Sequence, residues 1–386
     1  MSKGAYLGVD GIARKVRKIY VGVDGVARKV KKGYIGVNGI AHKFFGGELR
    51  YNGTTSLSAS RYDVNGVSNG AYAIFAGGRN PGRGSAYNGT IDAFSATLTR
   101  TSQTVQRLAR LEAGTACVGQ YALVAGGHGY ARSSTGYKSH VDAFDQSLTI
   151  TTAASLSTAR SDIGGASVGG YALFAGGYKT TSNTATFYHN VDAYSESLTK
   201  STASALPYKA DSVKGTKIGN YALFAGGNYA TPNTYRTMAV AYNASLAQST
   251  ATSLTTGRSR HAAGTIGGYA LYAGGYNGSS LSSVETYNTS LTKSTAPALN
   301  VARYYLTCTT VGEWIIFAGG ETGSSTYTDA VDVYDMSLTK LDMSGLSVAR
   351  RKAAAATVGN YALFAGGLTV YSGYQTTDAV DIYVAD

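Results

Sequence analysis

Two kinds of charged residue recur at fixed places along this chain. Arg61, Arg110, Arg160, Arg258, Arg303 and Arg350 each stand sixteen residues before the first glycine of a Gly-Gly pair. Asp92, Asp142, Asp192, Glu285, Asp332 and Asp381 each stand two residues before an aromatic: Phe94, Phe144, Tyr194, Tyr287, Tyr334 and Tyr383. The repeat that lacks the arginine, where Ala210 stands, also lacks the acid, where Val240 stands. A planar guanidinium forks well onto a carboxylate, and joint loss is what a structural pair within one repeat predicts. The competing chemistry is a ring of arginines around a channel mouth that attracts an anion, which gives no reason for the acid to vanish with the arginine.

A second candidate chemistry lies in the segments after the glycine pairs, where the repeats differ most. Tyr87, Tyr130, Tyr137, Tyr178, Tyr188, Tyr229, Tyr235, Tyr276, Tyr327, Tyr371 and Tyr374 stand there among Ser, Thr, Asn and Gly. Such mixtures make good recognition surfaces, because tyrosine offers a large contact area at small entropy cost. Its ring also stacks on sugars. Constant framework beside variable loops fits a binding scaffold; the plain alternative is solvated, unconstrained loops.

Catalytic patterns are missing. His42, His128, His140, His189 and His261 show no paired metal-ligand spacing. No nucleophile elbow, phosphate loop or zinc motif occurs. No enzyme activity, cofactor or metal is expected. Cys117 and Cys308 form no disulfide framework and read as buried free thiols, since a small cysteine packs as a hydrophobe.

The elements that must position these residues are written openly. Tyr-Ala-Leu-Phe-Ala-Gly-Gly occurs at 171–177, 221–227 and 361–367, with looser copies ending at Gly78, Gly127, Gly275 and Gly320. First glycines are 45 to 50 residues apart, a period that marks a repeat architecture. In the third repeat, 161–168 reads as a crowded strand of small residues and Gly169-Gly170 as a turn. Tyr171–Ala175 reads as a strand apolar on both faces, hence covered on both. Val191–Tyr194 and Leu198–Thr202 read as strands three and four. Four short strands per unit describe a propeller blade.

The glycine pair closing an apolar strand, the third-strand aromatic and the arginine before the first strand resemble kelch repeats. The kelch tryptophan of the fourth strand is absent, with Leu198 or Leu338 standing four residues after the aromatic. The resemblance implies an all-β, seven-bladed kelch-like β-propeller over 47–386. The copper site of some kelch-like oxidases has no counterpart here, nor does the Asp-box of sialidase propellers. The chain ends on a third strand, Val380–Tyr383, and 49–54 is expected to supply the missing outer strand.

Residues 1–46 carry ten Lys or Arg against two Asp, a net of +8 out of +12 for the chain. They repeat every 14 residues as Tyr6–Val16, Tyr20–Val30 and Tyr34–Phe44. Asp-Gly or Asn-Gly centres each unit, which suits a type I′ hairpin turn. A lone hairpin is marginal in water, so a docking arm is expected; solvated edge strands guarded by cations are the plain alternative. The arm resembles short repeats of bacteriophage and prophage virion proteins of Gram-positive bacteria. That resemblance implies a virion protein, tail- or fibre-associated, in a multi-subunit assembly. Its expected partners are other virion proteins through 1–46 and a host surface glycan or protein through the propeller. Nucleic acid is not the expected partner. Alternatives are a structural or decoration virion protein and a bacterial cytoplasmic kelch scaffold. No secretory leader is visible and no apolar run approaches the ~20 residues of a membrane span, so synthesis in a host bacterial cytoplasm is expected.

Overall fold

The computed structural model describes residues 48–385 except 82–85, 132–133 and 230–233. In the arm it describes the strand backbones alone. Those strands form three separate hairpins, Tyr6–Val9 with Ile12–Lys15, Tyr20–Val23 with Val26–Lys29, and Gly33–Val37 with Ile40–Phe45. The Asp-Gly and Asn-Gly turns and the arm's side chains, including His42, lie outside the described residues.

From residue 49 onward the described residues form seven four-stranded antiparallel sheets. Sheet three is representative: Gly164–Val168, Tyr171–Ala175, Val191–Ser195 and Lys200–Ala203, in sequence order. Its second and third strands are buried on both faces, because each sheet is sandwiched between two others. In the seventh sheet the outer strand is Leu49–Ser56, paired with Ala379–Ala385. The first and last strands of the repeat region are thereby hydrogen-bonded, and Ala379–Ala385 is paired on both sides rather than left as a free edge.

The first strand of each sheet packs against the first strand of the next, and the seventh returns to the first. These strands converge, and their small residues follow from that. A Cβ on Gly165 would lie 2.0 Å from the Thr115 carbonyl oxygen, and one on Gly66 2.5 Å from that of Ala355. The glycine pairs lock the ring. Gly176 and Gly177 have φ of +67° and +103°, a region costly for side chains. Gly177 N–H donates to the Ala210 carbonyl of the following sheet. The same bond recurs from Gly78 to Arg110, Gly127 to Arg160, Gly227 to Arg258, Gly275 to Arg303 and Gly320 to Arg350; Gly367 to Arg61 completes the circle. The result is a β-propeller-like fold around one axis.

Two local expectations need correction. Leu198 is not in the fourth strand, which begins at Lys200; it sits in the preceding turn at φ +60°. Cys117 is exposed. It is the fourth residue of its first strand, and alternation turns that position away from the packed sheets, as with Ser68 and Ser167. Cys308, two places earlier in its own strand, is half-buried and donates to the Ala263 carbonyl at 3.2 Å.

Candidate functional site at the channel mouth

The six Arg–acid pairs are buried brackets within sheets. N–O separations are 2.7 Å for Arg61–Asp92, 2.8 Å for Arg110–Asp142 and 3.0 Å for Arg160–Asp192. They are 2.7 Å for Arg258–Glu285, 2.7 Å for Arg303–Asp332 and 2.5 Å for Arg350–Asp381. Each guanidinium also donates to a second-strand carbonyl, as Arg160 does to Phe174, and Arg160 reaches Gly176 just beyond that strand as well. The arginines therefore do not ring the mouth, and an anion cannot reach them. Burial by itself would raise the Asp92 carboxyl, but Arg61, the Ser102 hydroxyl and the Ser58 N–H together hold it below its ordinary value.

Sheet four replaces the whole bracket. Ala210 and Val240 are fully buried, and the Tyr208 ring packs with them. The Tyr208 hydroxyl lies 3.4 Å from the Gly226 carbonyl, the counterpart of the Gly176 carbonyl that takes Arg160 Nε in sheet three. Ser157 N–H donates to Asp192; its counterpart in sheet four is Pro207, which has no N–H to leave orphaned. The cation beside the acid, Lys200 in sheet three, becomes Gln248, which keeps the equivalent bond to a backbone carbonyl at Ala205.

Two residues beyond each bracket position stand Asp63, Glu112, Asp162, Ser212, Arg260, Tyr305 and Lys352. All have φ between +51° and +55°, and all line one cavity of about 390 Å³ at the axis. Their backbones are hydrogen-bonded in two arcs. In one, Ser212 N–H donates to Asp162 and Asp162 N–H to Glu112. In the other, Asp63 N–H donates to Lys352, Lys352 to Tyr305 and Tyr305 to Arg260. The arcs differ in charge: two acids on the first, two cations and one acid on the second.

Lys352 is the cross-link. Its Nζ lies 2.7 Å from Asp63 and 3.6 Å from Glu112, over the Tyr305 ring at 4.9 Å from the centroid. Burial opposes its charge, but Asp63 and Glu112 prevail and raise its pKa. Glu112 is pushed up to about 8 by burial and the neighbouring Asp162 charge. Asp211, beside Ser212, is pushed up to about 7 by burial and again by Asp162.

An aromatic rim surrounds this well. The segments after the glycine pairs are mostly two-stranded ribbons rather than irregular loops, and each starts by bridging the residue next to a mouth position, as Tyr178 does with Ser161. One run is Tyr87–His128–Tyr137–Tyr178–Phe187–Tyr229, with successive ring centroids 4.8 to 6.1 Å apart. Another is Tyr235–Tyr276–Tyr304–Tyr305. Arg351 lies over Tyr305, Tyr327 and Tyr371, and Tyr371 meets Tyr374. Of the tyrosines read from the sequence, Tyr229, Tyr371 and Tyr374 are exposed. Tyr87, Tyr137, Tyr178, Tyr188, Tyr235, Tyr276 and Tyr327 are half-buried, packed into the rim or beside it, and the side chain of Tyr130 lies outside the described residues. The charged ring at the mouth was missed in the sequence; its only signal is a fixed offset from the arginine with no shared residue type.

Among the described residues no group of His, Cys, Asp and Glu is placed to hold a metal ion, and no helix is long and apolar enough to cross a membrane.

No protein-family model matches the chain, and no curated protein matches it. Solved structures do: 484 chains match. One, titled "Structure of YjhT", shares 14% sequence identity at a TM-score of 0.54, over 71% of this chain and 94% of that one. At such identity the likeness speaks for the fold alone.

Proposed function

We propose that this chain is a non-enzymatic recognition protein of a phage or prophage particle. In this reading 47–386 is a seven-bladed, kelch-type propeller, and 1–46 is a basic arm that docks it to other virion proteins on a tail or fibre. The channel mouth, with its tyrosine rim, faces a host surface glycan or protein. The observation that carries the reading is the concentration of unlike side chains on one face: aromatic rings around a charged well, on an otherwise repetitive scaffold. Rings give contact area, and the well gives a polar ligand its orientation. The assignment to a particle rests on the resemblance of the arm, whose +8 charge suits an acidic docking surface.

The test is binding of the full-length chain to host cells and to fractionated envelope, with cleavage of captured glycans followed in parallel. Retention on one envelope fraction, weakened by Tyr371→Ala with Tyr374→Ala, is expected. Absence of binding to every fraction overturns the recognition role, and release of new reducing ends overturns the non-enzymatic one. Deleting 1–46 is expected to abolish incorporation into particles while sparing cell binding.

A further inference from the structure

The two arcs of the mouth do not neutralise one another. On the acidic arc, the Asp162 carboxylate receives only the Ser212 hydroxyl, at 3.3 Å, among the described residues. Glu112 has Lys352 at 3.6 Å, but that lysine sits closer to Asp63. On the other arc, the Arg260 guanidinium has no carboxylate within ion-pair reach among the described residues. It is held by rings instead, 5.0 Å from the Tyr305 centroid and 5.8 Å from that of Tyr276. Ring contacts orient an arginine while leaving its N–H donors free. Lys214 opens into the same cavity and likewise makes no ion pair among the described residues.

Two acids therefore crowd one side of the cavity and two cations another, where Asp211 is the nearby carboxyl that feels both Arg260 and Lys214 without an ion pair to either. A ligand of a single sign relieves one side and is repelled by the other. A ligand carrying both signs relieves both, and a cavity of about 390 Å³ falls in the usual range for small-ligand sites. We propose that the mouth takes a zwitterionic saccharide, one bearing an amino group and a phosphate or carboxylate. The ammonium sits against Asp162 and Glu112 and displaces to solvent the proton that Glu112 holds beside Asp162, the anion sits on Arg260 and Lys214, and the sugar ring lies against Tyr305. This rests on the reading of the mouth as the recognition site.

The experiment uses the full chain and calorimetric titration at low salt with three probes: glucosamine 6-phosphate, glucose 6-phosphate and glucosamine. The doubly charged probe is expected to bind about tenfold more tightly than either singly charged one, the scale of one charge-assisted hydrogen bond. Arg260→Gln is expected to weaken both phosphates and leave glucosamine unchanged. Glu112→Gln is expected to weaken both amines and leave glucose 6-phosphate unchanged. Both side chains open to the cavity, and near-ultraviolet dichroism checks that each variant is folded. Equal affinity for glucosamine 6-phosphate and glucose 6-phosphate, indifference to both substitutions, or no binding of any probe overturns the proposal. A chain that binds host envelope but none of the probes sinks this inference and leaves the recognition reading standing. A chain that binds the probes as described but no envelope fraction does the reverse.

Discussion

The Arg160 guanidinium stands 3.0 Å from the Asp192 carboxylate, and neither side chain has any exposed surface. Removing one partner strands the other, so Arg160→Ala is expected to cost about 3–5 kcal/mol in unfolding free energy. Sheet four shows how the site works without charge. Introducing its residues together, as Ser157→Pro, Thr158→Tyr, Arg160→Ala, Asp192→Val and Lys200→Gln, is expected to recover most of that loss. Urea unfolding of wild type, single and fivefold variants decides it; a fivefold variant no more stable than R160A contradicts the exchange.

Convergence of the first strands makes a sharper prediction. Gly165→Ala sets a methyl 2.0 Å from the Thr115 carbonyl oxygen. Both atoms sit in backbones locked by their sheets, so the strain has little outlet, and a loss of about 3 kcal/mol is expected, the upper end for overpacking. Gly268→Ala meets nothing within 4 Å and is expected to stay within about 0.5 kcal/mol of wild type. Comparable melting shifts for the two contradict the crowded axis.

His261 occupies a position filled by Ile163 in sheet three and Val213 in sheet four. It is buried, and neither ring nitrogen has a partner in hydrogen-bond geometry among the described residues. Burial first, then Arg258 and Lys214, drives its pKa well below 6.5. The folded chain therefore keeps His261 neutral while the unfolded chain takes up a proton below about pH 6.5. Stability from this group is complete above that pH and falls by about 1.4 kcal/mol per unit below it. Glu112 and Asp211 act with the opposite sign, since their raised values let the folded state bind protons first. The difference between wild type and His261→Ile isolates the histidine. The variant's advantage is expected to widen from pH 7 to pH 5 in parallel denaturation series, and a constant difference contradicts the buried neutral ring.

The brackets were legible because the chain repeats: Arg160 and Asp192 recur with their spacing, and Ala210 and Val240 fail together. Their geometry follows from four short strands, which the apolar runs and glycine pairs announce. The mouth was not legible for the converse reason. Asp63, Ser212, Tyr305 and Lys352 share a place and a backbone conformation but no chemistry, and positive φ at a non-glycine leaves no mark in composition. Tyr208 was hidden too, since its role depends on a carbonyl at Gly226 that only the folded sheet brings near. Cys117 is exposed although a small cysteine packs as a hydrophobe, because alternation in a first strand sends every second side chain toward the axis.

That alternation separates the two thiols. Cys117 is exposed, with its sulfur 3.5 Å from the Ser167 hydroxyl. Cys308 lines the cavity but is hemmed in by the neighbouring sheet, bonded to the Ala263 carbonyl, and burial pushes its pKa up to about 12. A thiolate is the reactive species, so at pH 8 the Cys308 thiol is almost wholly protonated. A maleimide reagent is expected to label Cys117 rapidly in the native chain and Cys308 only after denaturation. The Cys117→Ser variant is then expected to resist native labelling altogether, with mass spectrometry counting the adducts. Fast modification of Cys308 in that variant would contradict a thiol hemmed in by the neighbouring sheet and held protonated.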